Sequence, residues 1–194
     1  NSNKINMLIF IKLILAHLLV DFILQPTKWV LHKQSNKLVS KYLYLHILLH
    51  FILYMLILWD LSLWKIALIV CIGHLCIDVL KLYIDAFFTN KSIPFFIDQS
   101  LHLVLIYCCV FYENLYEHTV SLFENIDWYL VTAIIFVTYP AAIIMGKILE
   151  GMSNQIETDH KSLPNAGKYI GIIERLFVLI FIVIGRWEVI GLLI

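Results

Sequence analysis

Charge is scarce in this chain. Asp, Glu, Lys and Arg make up 14% of its 194 residues, against about 25% in soluble domains, which excludes an ordinary soluble enzyme. Arginine is nearly absent, with only Arg175 and Arg186, and the 14 basic residues are balanced by 14 acidic ones. With no net positive field, the sequence predicts no nucleic-acid partner. Cysteine supplies no framework either. Cys71, Cys76, Cys108 and Cys109 lie inside apolar runs without a CxxC pair, so they read as small buried hydrophobes rather than disulfide partners. The first apolar run lacks a small-residue cleavage site and carries His17 and Asp21, so it reads as a retained span and not a removed signal.

What is present is apolar: 61% of the residues are hydrophobic. Runs near 7–25, 42–60, 64–84, 94–112, 128–146 and 169–186 each approach the roughly 20 residues that a helix needs to cross hydrocarbon. The predicted fold class is all-α, a polytopic transmembrane helix bundle with about six spans, forming a single integral membrane domain over 1–194. Pro26 closes the first span, Pro94 stands in the first turn of the fourth and Pro140 kinks the fifth. Trp59, Trp64, Trp128 and Trp187 fall near span ends, as interfacial anchors do. The final WEVIGLLI is too short to cross again and is expected at the interface, while 147–168 reads as a polar turn or short surface helix.

Loop charge gives an orientation. The first loop carries Lys28, Lys33, Lys37 and Lys41, and the fourth carries Glu113, Glu117, Glu124 and Asp127. Loops one, three and five are therefore expected on the cytoplasmic side, with Lys4 and Lys12 as the opposing signal.

The polar residues inside the spans carry the functional information, because an ionisable group there is costly and by default functional. His17 and Asp21, His46 and His50, His74 and Asp78, and Asp98 and His102 are all spaced i, i+4, which puts each pair on one helical face. Antiparallel connections place all four pairs in the same half of the membrane, the cytoplasmic half under the charge bias. Facing helices build metal centres from such residues, and this donor set suits zinc, manganese or iron. The expected cofactor is one or two divalent transition metals, zinc or manganese first. His17, Asp21, His74, Asp78 and His102 are the leading ligands, with His46 in the same set, and Asp98 and His50 as shared ligands or proton acceptors. Lys81 and Arg175 would oppose the charge developing on a phosphoryl group attacked by metal-activated water. Gln25 and Gln99 would position water or a ligand carboxylate.

Weaker signals are weighed beside these. Glu174 is a further ligand, or pairs with Arg175 to anchor the sixth helix. His118 and His160 are surface loop residues, and His32, among lysines, faces anionic headgroups. Asn165-Ala166-Gly167-Lys168 lacks the GxxxxGK spacing of a phosphate loop, and Gly167 serves a turn.

The segments AHLLVDFILQ at 16–25, LHILLH at 45–50, GHLCIDVLK at 73–81, DQSLH at 98–102 and NAGKYIGIIER at 165–175 resemble the DUF3307 family of small, mostly bacterial integral membrane proteins. The resemblance implies a bacterial cytoplasmic (inner) membrane location and supplies no substrate. Its HxxxD pattern is loosely similar to that of membrane-bound metal-dependent hydrolases. The expected function is a membrane-embedded metal-dependent hydrolase acting on a phosphorylated lipid or other amphiphile near the cytoplasmic leaflet. Membrane lipid is the expected partner, and no protein partner is indicated. A proton or divalent-ion transporter or channel would use the same residues as a relay. A structural or partner-binding membrane protein would use them for helix packing, and haem ligation by facing histidines is the weakest reading.

Overall fold

Inside hydrocarbon every backbone N–H and C=O must find its partner within the chain, so long apolar segments fold as helices. The structure is a computed structural model that describes residues 2–111, 126–150 and 166–193, all helical or in short connections with no strand among them. Five helical segments are long and apolar enough to cross a membrane: Asn3–Leu24, Lys41–Leu58, Leu61–Phe87, Ser92–Phe111 and Trp128–Leu149. The chain is an integral membrane protein with an all-α fold. The expected sixth span is also a helix, but Lys168, Glu174 and Arg175 lie within it. Its 18 residues carry these three charges, whereas each of the other five contains a stretch of 18 residues with at most two. Glu113, Glu117, Glu124, His118, His160 and Asn165 lie outside the described residues.

The contacts divide the chain into two compact units, Asn1–Thr132 and Ala133–Ile194. In the first, helix α1 (Ser2–Leu18) runs directly into a π-helical turn over Leu19–Leu24. Pro26, in extended backbone, separates this turn from the short α2 (Thr27–Asn36). Then follow α3 (Lys41–Leu58), α4 (Trp64–Ile84) and α5 (Ser92–Phe111). Helix α3 ends where Trp59 adopts the left-handed conformation at φ 52° and donates from its backbone N–H to Met55. Asp60 then accepts from the Ser62 N–H at 2.9 Å and starts the turn leading to α4. Pro94 does sit in the first turn of α5, and the Asn90 side chain accepts the Ser92 N–H at 2.9 Å.

Helices α3, α4 and α5 each bury one stripe. On α3 the stripe is Leu43, His46, His50, Tyr54 and Leu58; on α5 it is Pro94, Asp98, His102, Ile106 and Val110. These spacings of three and four are the rows along which helices interdigitate. The opposite faces are apolar and exposed, with Leu48, Ile52 and Leu56 on α3 and Val104 and Tyr107 on α5. That arrangement inverts a soluble protein and fits a lipid surround. At one end of the bundle the core is apolar, built from Leu13, Tyr54, Leu58, Ile66, Val70, Ile106 and Val110.

The second unit contains the second half of α6 (Trp128–Val137), then α7 (Tyr139–Glu150), α8 (Ala166–Val183) and α9 (Trp187–Leu193). The break at Thr138 follows from Pro140, which has no N–H to donate, and the Thr138 hydroxyl takes up the Ile135 carbonyl at 2.6 Å.

Candidate metal centre

The inward stripes bring eight predicted residues to one place. His17 ends α1, Asp21 sits in the π-helical turn, His46 and His50 come from α3, His74 and Asp78 from α4, and Asp98 and His102 from α5. The five imidazoles are 0–1% exposed, Asp98 3% and Asp78 6%. The π turn was not legible in the sequence. It holds Asp21, with Gln25 just beyond it in extended backbone, and π turns recur at functional sites.

The i, i+4 partners share a face but do not form the short bonds. His17 Nε2 and Asp21 Oδ2 are 3.9 Å apart, as are His74 Nε2 and Asp78 Oδ1, and His102 Nδ1 stands 3.7 Å from Asp98 Oδ1. The short bonds run between helices. His50 Nε2 donates to Asp21 Oδ1 at 2.8 Å, and Gln25 Nε2 donates to His46 Nδ1 at 2.9 Å. Gln99 bridges three groups: Nε2 donates to Asp21 Oδ2 at 3.3 Å and to Asp98 Oδ2 at 3.1 Å, while Oε1 accepts from His17 Nε2 at 3.3 Å. His74 stacks on His102 with ring centres 3.9 Å apart.

Three donor sets are compact enough for a cation. His17, Asp21, His50 and His74 form one, His46, His74 and Asp78 a second, and Asp78, Asp98 and His102 a third, with the ligand atoms of each set mutually within 4.8 Å. Asp21 Oδ1, His46 Nε2 and His74 Nε2 form a tighter triangle with edges of 3.3, 3.3 and 3.7 Å. Ligand atoms of a tetrahedral ion bound at 2.0–2.1 Å lie about 3.4 Å apart, close to those edges. A half-turn of the Gln25 amide would put its oxygen on His46 Nδ1 and free the Nε2 lone pair toward Asp21 and His74, the outer hydrogen bond that metal-bound imidazoles characteristically have. His17 Nδ1, His50 Nδ1, both His102 nitrogens and Asp98 Oδ1 are buried without a hydrogen-bond partner among the described residues. Buried nitrogen and oxygen donors of this kind can hold a divalent metal ion.

Two lysines enter the cluster. Lys81 Nζ donates to Asp98 Oδ2 at 2.7 Å, with its side chain 29% exposed and 5.8 Å from the Phe95 ring centre. Lys33 Nζ donates to Asp78 Oδ2 at 2.9 Å, both side chains being 8% exposed. Lys33 is thus not a solvated loop charge as the sequence suggested. Helix α2 turns it inward, and no spacing pattern marks it. Asp21 alone among the three carboxylates has no lysine bonded to it among the described contacts.

Other expectations change. Lys12 is 2% exposed, lies 3.5 Å from the Leu58 carbonyl and stands 4.8 Å over the Trp128 ring, so its charge sits at the end of α3. His32 Nδ1 is hydrogen-bonded to the Ser40 hydroxyl at 2.8 Å. Arg175 belongs to the second unit, where its Nε donates to the Val137 carbonyl at 2.8 Å, and Glu174 is exposed. At Gly73, beside His74, a Cβ would lie 2.6 Å from Leu105 Cδ1, so glycine leaves room for the Leu105 side chain between α4 and α5.

The model of the family described as Protein of unknown function (DUF3307) matches residues 9–139, which include every residue of this cluster. No curated protein and no solved structure matches the chain. The match extends over more than half of the sequence, and the chain belongs to the DUF3307 family.

Proposed function

We propose that this protein is a membrane-embedded metal-dependent hydrolase acting on a phosphorylated lipid or similar amphiphile at the cytoplasmic leaflet. The observation that carries this reading is the convergence of five buried histidines and three aspartates, with two ammonium groups bound at its edge. Helix packing alone accounts poorly for it. Three aspartates cost roughly 2.5 to 3.5 kcal/mol each near a helix centre, whereas interhelical hydrogen bonds in membranes return about 0.6 kcal/mol each.

A divalent cation supplies Lewis-acid polarisation of a phosphoryl oxygen and activation of water. His17, Asp21, His50 and His74 would hold it, with His46 alongside. Gln99 fixes the orientation of Asp21 and His17. Asp98, whose Oδ1 has no hydrogen-bond partner among the described residues, would take up a proton, and the partly exposed Lys81 would receive the anionic group at the mouth. An apolar groove of about 350 Å³ between α3 and α4 suits the chain of an amphiphile. It is lined by residues that include Tyr44 and Leu75, near His46 and His74 in sequence, and Phe51 and Leu68 farther along the helices.

An ion or proton pathway is the competing reading, and it would have to cross the layer of Leu13, Val70 and Ile106, all 0–1% exposed. The test is hydrolysis of a panel of lipid phosphates by detergent-purified protein before and after complete removal of bound metal. Activity that is lost on removal and restored by zinc or manganese is expected. Undiminished hydrolysis by fully metal-free protein would overturn the proposal.

A further inference from the structure

The three candidate donor sets differ in one respect that bears on how many cations the centre holds. Asp78 supplies the second and third sets and Asp98 the third, and an Oδ2 of each is already bonded to a buried or half-buried ammonium, at 2.9 Å from Lys33 and 2.7 Å from Lys81. The first set draws its carboxylate from Asp21, whose short contacts are to His50 Nε2 at 2.8 Å, His46 Nε2 at 3.3 Å and Gln99 Nε2 at 3.3 Å. From these contacts we infer that the centre is mononuclear: one divalent cation binds at Asp21, and Lys33 and Lys81 take the place of a second cation at Asp78 and Asp98. The inference rests on the proposed metal-dependent reading and specifies its site.

Charge decides between one ion and two. Three carboxylates against two ammoniums leave one negative charge with neutral imidazoles. One divalent cation turns this into one positive charge, which a single anionic group of a ligand neutralises. A second divalent cation beside both lysines would leave three positive charges in a site whose histidines are 0–1% exposed. Uncompensated charge in such surroundings costs several kcal/mol per ion, so the second ion binds only where the lysines are removed. The two lysines also differ. Lys33 arrives from α2 and is sealed, whereas Lys81 is 29% exposed and can exchange Asp98 for an incoming anion.

The test is a count of bound metal. Wild-type protein loaded with Mn(II) in mild detergent and freed of excess ion is expected to hold one manganese per chain by elemental mass spectrometry, with the electron paramagnetic resonance spectrum of an isolated ion. Lys33→Met/Lys81→Met is expected to hold two, with a spin-coupled spectrum, since paired metals in such sites stand about 3.5 to 4 Å apart. Two coupled ions in the wild type would overturn the inference and leave the metal-dependent reading intact. No manganese or zinc in folded, loaded wild type would overturn that reading itself. One ion in a folded double variant would overturn the assignment to the lysines. Should the double variant fail to fold, Lys33→Arg provides the check: it keeps the charge and is expected to hold one ion, and a second ion there overturns the inference.

Discussion

Along α3, α4 and α5 one inward stripe is polar at one end and apolar at the other. On α5 Asp98 and His102 give way to Ile106 and Val110; on α3 His46 and His50 give way to Tyr54 and Leu58; on α4 Asp78 and His74 give way to Val70 and Ile66. The backbone geometry is the same in both halves. The apolar half holds the helices together by packing, and the polar half spends that rigidity on keeping ionisable side chains out of water. If this division is correct, changes in the polar half should chiefly affect metal binding and changes in the apolar half chiefly stability.

The largest expected effect is that of His74→Ala, because His74 belongs to two of the three donor sets and stacks on His102. Tightly bound metal should fall more than 100-fold, beyond the roughly 10 to 100-fold loss seen when only an outer hydrogen bond is removed, with the helical circular dichroism retained. Unchanged metal content in the folded variant would separate His74 from the centre. Gln99→Leu removes the bridge between His17, Asp21 and Asp98 and should weaken metal binding by roughly 10 to 100-fold, read by competition with a chromogenic chelator.

Leu13→Ala lies across the division, in the apolar half at 0% exposure. A stability loss of about 2 kcal/mol is expected, at the low end for a buried leucine because lipid solvates apolar groups as well as the core does. Metal stoichiometry should not change, and a folded Leu13→Ala protein without metal would show that the halves are not separable. The smallest effect is expected for Lys12→Met, whose lost interactions include the 3.5 Å contact to the Leu58 carbonyl and the ring contact with Trp128. About 1 kcal/mol should be lost in reversible unfolding in detergent, with metal content preserved.

The i, i+4 spacings made much of the centre readable in advance. They place both members of each pair on one face, and alternating span direction then brings all four pairs to one depth whichever way the protein is inserted. Two span boundaries and one break were similarly legible, since Pro26 and Pro94 stand at helix ends and Pro140 interrupts the fifth span for reasons local to the ring. The partners were not. His50 bonds Asp21 and Gln25 bonds His46, pairings set by helix rotation and by a π turn that depends on packing around Leu19–Leu24. Lys33 looked like a loop charge because nothing local says that α2 folds back toward Asp78.

Composition and spacing by themselves determined that this chain is a membrane-embedded helical protein with titratable groups gathered at one level, because hydrocarbon forces internal hydrogen bonding and a helix repeats every 3.6 residues. Tertiary structure alone decided which nitrogen meets which carboxylate. Among the described residues it left Asp21 without a lysine while Asp78 and Asp98 received one each, and it seated the Leu105 side chain against Gly73. These outcomes depend on the rotation and separation of neighbouring helices, which are fixed by the joint packing of many side chains and not by any one segment.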